Sequence, residues 1–121
     1  MAKFDPATLS TLRTAREIAI RASRPRDRSV IIWVVVLEDD VFVRSVRGPR
    51  GLWFAAAKAD GRATLEVGDQ RLPARVTPVT EPATIDAVSE AFLTKYAASP
   101  WAKSIVAPET LPTTLMLGPL A

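Results

Sequence analysis

The stretch SVIIWVVVLEDDVFVRSVRGPRGLWFAAAKADGRATLEVGDQRLPARVTPV, Ser29 to Val79, decides the fold. Its first part, Val30 to Leu37, is apolar on both faces and rich in β-branched residues, which predicts a central strand buried on both sides. Glu38-Asp39-Asp40 turns the chain, and Val41 to Val46 returns as the second strand of a hairpin. On that strand Val41, Val43 and Ser45 share one face, and Phe42, Arg44 and Val46 share the other. Gly48-Pro49 and Gly51 mark a loop. Leu52 to Lys58 is Ala-rich and predicts a short helix ending near Gly61. Arg62 to Val67 and Gln70 to Pro78 read as two strands joined at Gly68-Asp69, with Leu72, Ala74 and Val76 facing one way and Arg71, Arg75 and Thr77 the other.

Outward from this stretch the signals turn helical. Asp5 followed by Pro6 is a helix start, and Leu9 and Leu12 continue it to about Arg16. Glu17 to Arg21 alternates polar and apolar residues, as a short strand does. Ser23 to Asp27 is a basic loop interrupted by Pro25. On the other side Thr80-Glu81-Pro82 opens a helix over about 82–97, with Ile85, Val88, Phe92 and Tyr96 as its apolar stripe. Ser99-Pro100-Trp101 ends it, Pro108 and Pro112 punctuate the tail, and a last strand falls at about 113–118. The expected architecture is α+β and mainly β. It has six to seven mostly antiparallel strands, a barrel section over about 17–79 and flanking helices, in one domain covering residues 1–121. Hairpins this short leave no room for the crossovers of a parallel dinucleotide-binding sheet.

Composition narrows the chemistry. The 121 residues can bury roughly two-thirds of the surface of the unfolded chain. There is no cysteine and no histidine, so disulfides, thiolate nucleophiles and imidazole bases or metal ligands are excluded. Any reaction must rely on carboxylates, lysine, tyrosine, hydroxyls or a bound cofactor. The N-terminus lacks an apolar signal region, and the run Val30 to Leu37 is too short to span a bilayer as a helix. These features point to the cytoplasm and away from membranes. The net charge is +3, and six arginines stand between Arg13 and Arg28 against Glu17 and Asp27. That segment is either a solvated face or an anion-binding surface for phosphate, nucleic acid or an acidic partner.

The sharpest site signal is the loop Arg44-Ser45-Val46-Arg47-Gly48-Pro49-Arg50-Gly51, followed at once by Trp53 and Phe54. Guanidinium forks suit phosphate oxygens, glycines admit close backbone approach, and aromatic rings stack on planar ligands. Together they suggest a site for a phosphorylated, ring-bearing small molecule. The competing reading has Arg44, Arg47 and Arg50 paired with Glu38 to Asp40 or Glu66, and Trp33, Trp53 and Phe54 as packing residues. Lys95 and Tyr96 read as helix-end residues.

The order VIIWVVV, VFVRS, RGPRGLW, RATLEV, RLPARVTPV and FLTKY resembles the FMN-binding split barrel of pyridoxamine-phosphate-oxidase-like flavoproteins and deazaflavin-dependent nitroreductase-like proteins. The match covers Arg28 to Tyr96. The flanking segments, Asp5 to Arg16 and Ser99 to Ala121, look like those of an uncharacterised branch of that superfamily, a domain of unknown function. The resemblance implies a split β-barrel, usually a homodimer with cofactor sites at the interface. It implies FMN or a deazaflavin coenzyme held at its phosphate by Arg44, Ser45, Arg47, Arg50 and amides near Gly51. It also implies that Trp33 lies beside the isoalloxazine ring and that Trp53 walls the site. The expected function is hydride transfer with a small substrate. Ala59-Asp60-Gly61 stands where relatives often have Asn-Pro, and Ile32 where a proline commonly precedes the tryptophan. Both favour the alternative, a non-catalytic dimeric ligand-binding module. Nucleic-acid binding through Arg13 to Arg28 is a second alternative, with no interleaved aromatics to support it.

Overall fold

The computed structural model describes residues 3–22 and 29–120. The basic loop expected at Ser23 to Asp27 therefore lies outside the described residues. Seven strands form one sheet: β1 (Ile18–Ala22), β2 (Ser29–Ile32), β3 (Val35–Leu37), β4 (Asp40–Val43), β5 (Arg62–Val67), β6 (Gln70–Pro78) and β7 (Leu115–Pro119). Their order is β2-β1-β5-β6-β7-β4-β3, and every pairing is antiparallel. The helices are α1 (Pro6–Thr14), α2 (Leu52–Asp60) and α3 (Pro82–Lys95), joined by 3₁₀ turns at Gly48–Arg50, Ala102–Val106 and Pro108–Thr113.

The apolar run Val30 to Leu37 is not one central strand. It divides at Trp33-Val34 into β2 and β3, and these are the two edges of the sheet. The step from Ile32 to Val35 spans at most about 11 Å. The edges of a flat sheet of this order would stand about 29 Å apart. The sheet must therefore curl until its edges nearly meet, forming a half-barrel with a seam at Trp33-Val34. No turn residue breaks the run. The Val34 N–H donates to the Tyr96 hydroxyl at 3.2 Å, and the Val34 carbonyl accepts from Lys95 Nζ at 2.7 Å. The end of α3 thus takes the backbone groups that a continuous strand would have given to a neighbouring strand.

Local chemistry sets the helices. Asp5 Oδ1 accepts from the Thr8 N–H at 2.7 Å and Pro6 opens the first turn of α1. Gly61 ends α2 in the left-handed region at φ 74°, its N–H returning to the Ala57 carbonyl. Leu9, Leu12, Phe54 and Ala57 of α1 and α2 fill the concave face of the sheet against Ile18, Ile20, Val41, Val43, Leu65 and Leu117. A second core lies on the convex side, where α3 and the turn Ala102–Val106 cover Val35 and Phe42 with Val88, Phe92, Tyr96 and Ile105. The two clusters divide β4 as its alternation predicts, with Val41 and Val43 in one and Phe42 in the other. The strand itself stops at Val43 rather than Val46, because Arg44 and Ser45 bond to side chains of the tail instead of a strand.

Candidate functional site

A cleft of about 520 Å³ opens where β2, the end of β4, the start of α2 and the turn Ala102–Val106 meet. Trp33, Arg44, Ser45, Arg47, Gly51 and Trp53 all line it. Arg50 does not; it is exposed at the end of its 3₁₀ turn. Ile31, Val46, Leu52, Trp101 and Ser104 also line the cleft and carried no site signal in the sequence. Trp101 lies 48 positions beyond Trp53, and only the packing of its turn against α3 brings it here.

The corner Arg44-Ser45 is built by residues far away in sequence. Arg44 is 1% exposed. Its guanidinium donates to Thr114 Oγ1 at 2.9 Å, Ser89 Oγ at 2.9 Å, the Ile85 carbonyl at 2.9 Å and the Ile105 carbonyl at 3.3 Å. It also lies over the Phe92 ring at 5.6 Å. All these partners are neutral, and no carboxylate is within ion-pair range of Arg44 among the described residues. Burial pushes its pKa down to about 10, with Asp86 opposing the shift, so it keeps its charge at neutral pH. The Ser45 N–H donates to Thr113 Oγ1 at 3.0 Å. Arg44 therefore ties β4, α3 and the tail together and brings an unneutralised charge to the wall of the cleft.

The loop that follows is folded onto itself. Ser45 Oγ donates to the Gly48 carbonyl at 2.8 Å, and the Gly51 N–H donates to the same carbonyl at 3.1 Å. A Cβ on Gly51 would collide with Ser45 Oγ, so a side chain there would force that hydroxyl out of its bond to the Gly48 carbonyl. The Gly51 amide is spent inside the loop. The first turn of α2, which begins at Leu52, has no side-chain cap, so no capping side chain takes its amide donors. No hydrogen bond or ion pair engages the Arg47 or Arg50 side chain among the described residues. Of the acidic residues that the sequence offered as partners, Asp40 pairs with Lys3, Asp39 with Arg13, and Glu66 with Arg21 and Arg71, and none pairs with Arg47 or Arg50.

Across the cleft, Trp33 is fixed at the seam. Its ring stacks on Tyr96 with centroids 4.0 Å apart and planes 3° from parallel. Tyr96 is buried, and its hydroxyl donates to the Arg16 carbonyl at 2.8 Å while accepting from Val34. Burial raises the phenol pKa, keeping that proton in place. Lys95 Nζ donates to the carbonyls of Val34 and Leu12 at 2.7 and 3.2 Å. Burial, then the nearby Arg16 charge, brings Lys95 down to about 8. Both helix-end residues thus act behind Trp33 rather than in the cleft.

The basic segment Arg13 to Arg28 is partly accounted for. Arg13 donates to the Glu38 carbonyl, Arg16 to the Lys95 carbonyl at 3.0 Å, and Arg21 pairs with Glu66. Arg24, Arg26 and Arg28 lie outside the described residues. Among the described residues no cluster of His, Cys, Asp and Glu could hold a metal ion, and no helix is long and apolar enough to cross a membrane.

Comparison with solved structures finds this fold in proteins of low sequence identity. An F420-H2-dependent reductase superposes with a TM-score of 0.59 at 14% identity, covering 84% of this chain and 90% of its own. A FAD-binding protein from Mesorhizobium loti superposes with a TM-score of 0.66 at 12% identity, covering 98% and 92%. A protein from Listeria innocua assigned to the pyridoxamine 5′-phosphate oxidases gives 0.61 at 7% identity, covering 92% and 87%. At such identities the likeness is one of fold. No curated protein matches the chain in sequence. A family match does, and it spans α1 through β7: over residues 8–117 the chain is a member of DUF2255, the uncharacterized proteins conserved in bacteria.

Proposed function

We propose that the cleft binds a phosphorylated flavin or deazaflavin, either FMN or a deazaflavin coenzyme, and that the protein uses it to exchange hydride with a small molecule. One observation carries this reading: Trp33 and Trp53 share a single cleft with Arg47 and the uncapped start of α2. The volume, about 520 Å³, is that of a small-molecule site. Trp33, held flat by Tyr96, would border the ring system. Arg47 and the first turn of α2 beyond Gly51 would hold the phosphate, with Ser45 fixing the loop behind them through its bond to the Gly48 carbonyl. Arg44 would add its buried charge to the field at that end while fixing the corner. Arg50 would act as a second, solvent-side cation. When bound, the cofactor supplies the hydride chemistry, which agrees with a chain that lacks histidine and cysteine. The F420-H2-dependent reductase and the FAD-binding protein support a cofactor of this general type.

The rim of the cleft supports a homodimer. Ile31, Val46 and Leu52 are 61%, 57% and 67% exposed and stand together there. A second copy of the chain would cover them.

Purified protein titrated with FMN and with a deazaflavin coenzyme tests the reading. We expect saturation at about one cofactor per chain and retained visible absorbance after desalting. Absence of binding to both overturns it. Binding without hydride exchange would instead identify a ligand-binding module, which Ile32 and Ala59-Asp60-Gly61 already favour as the alternative.

A further inference from the structure

Trp101 is 69% exposed, more than any other large apolar side chain among the described residues. Its backbone is nevertheless fixed. The Trp101 N–H donates to Ser99 Oγ at 3.1 Å, and its carbonyl accepts from the Ser104 N–H at 2.9 Å. The next residues of the turn, Ala102 and Ile105, are buried in the convex core with Phe92 and Tyr96. Arg44 grips the Ile105 carbonyl, tying this turn to the basic corner. A water-exposed indole on so firm a base is unusual. Trp101 stands on the cleft wall with Trp33 and Trp53, so all three tryptophans of the chain line one cavity.

We infer that Trp101 is the third aromatic wall of the ligand site and covers the ring system of the bound molecule. The inference rests on the cofactor reading above and adds to it a residue that sets affinity for the ring apart from affinity for the phosphate. The occupant is the ligand rather than a second chain, because Trp101 is continuous with the two cleft tryptophans and joined through Arg44 to the cationic end. A planar anion matches both features at once. Because the indole is exposed and its neighbours carry the packing, truncating it leaves the fold intact.

The test compares wild type, Trp101→Ala, Trp101→Phe and Arg47→Ala in titrations with FMN and with riboflavin, which has the ring but no phosphate. If the deazaflavin coenzyme is what binds, it and its phosphate-free form replace this pair. Light scattering reads the association state of each variant. Trp101→Ala should weaken both ligands by the same factor, about tenfold, the size expected for one lost stacking partner. Trp101→Phe should recover most of it. Arg47→Ala should weaken FMN and spare riboflavin. The association state should not change at Trp101. Wild-type affinity in Trp101→Ala overturns the inference while leaving the cofactor reading standing. So does dissociation of an oligomer by Trp101→Ala, which would make the indole a subunit contact. If wild type binds neither cofactor, the reading and the inference fall together.

Discussion

Arg44 and Arg47 stand three residues apart and do different work. Arg44 places four donors on acceptors inside the protein, and no buried side-chain nitrogen or oxygen among the described residues lacks a partner. Arg44→Met would take one partner each from the Ser89 and Thr114 hydroxyls and the Ile85 and Ile105 carbonyls, although Thr114 would keep its bond to the Leu111 carbonyl and the Ile105 carbonyl its bond from Thr110. We expect a loss of about 2–4 kcal/mol in urea unfolding. Arg44→Lys should recover little of it, since an ammonium cannot reproduce the planar fork. A stability within about 0.5 kcal/mol of wild type would show that the corner does not depend on this network. Arg47 lines the cleft with its donors unused. Arg47→Ala should weaken FMN about tenfold. Arg50→Ala should change it less than about twofold, because Arg50 stands outside the wall. The opposite ranking in a fluorescence titration would move the phosphate site to the solvent side of the loop. Lys95 adds a pH signature. Its folded pKa of about 8 lies below its ordinary value of 10.5, so between these limits the unfolded chain binds more protons and stability rises with pH. Urea midpoints should increase from pH 7.5 to about 9.5 in wild type, below the range where the Tyr96 phenol contributes. Lys95→Met should remove that slope, and an unchanged slope in the variant would assign it elsewhere.

Among the elements, the seam separates what can be read locally from what cannot. Asp5-Pro6, Gly61 and Gly68-Asp69 carry their own backbone instructions, and α1, α2 and the hairpin β5–β6 fall where those residues predict them. Six of the site residues proposed from the Arg/Gly loop and its flanking tryptophans also meet in one cleft. The division of Val30 to Leu37 was not legible. Nothing in VIIWVVVL favours a turn, and the partner that takes the Val34 N–H is Tyr96, 62 residues away. The same holds for the shortened β4, whose last residues bond to Thr113 and Thr114 of the tail. Long-range side-chain bonds to backbone leave no periodic trace in sequence. The seam's dependence on Tyr96 is testable. Tyr96→Phe keeps the ring stacked on Trp33 but removes the acceptor of the Val34 N–H and the donor to the Arg16 carbonyl. It should cost about 1–3 kcal/mol. Amide exchange at Val34 should accelerate more than at residues of β5. Uniform acceleration across the sheet would mean that the hydroxyl supports global stability and not the seam.

For the whole molecule, the curl of the sheet leaves one problem that its own helices do not solve. β2 is an edge strand, and its Ile31 side chain points outward at 61% exposure beside Leu52 at 67%. An apolar edge strand invites pairing with other chains and is usually blunted by charge, proline or a covering element. Among the described residues nothing covers this one. A defined dimer across β2 and the start of α2 would bury these side chains and exclude water from the mouth of the cleft. Light scattering should give twice the chain mass at micromolar concentration. Ile31→Lys, which places a charge on the edge, should yield monomers with the same circular dichroism. Because Ile31 lines the cleft, the same substitution should weaken FMN if the partner completes the site, whereas dissociation with unchanged affinity would mean that each chain holds its ligand alone. A wild-type monomer, or an Ile31→Lys protein that remains dimeric, would place the subunit contact elsewhere and leave the apolar rim to the ligand. The two measurements together decide whether the exposed face of β2 serves assembly, binding or both.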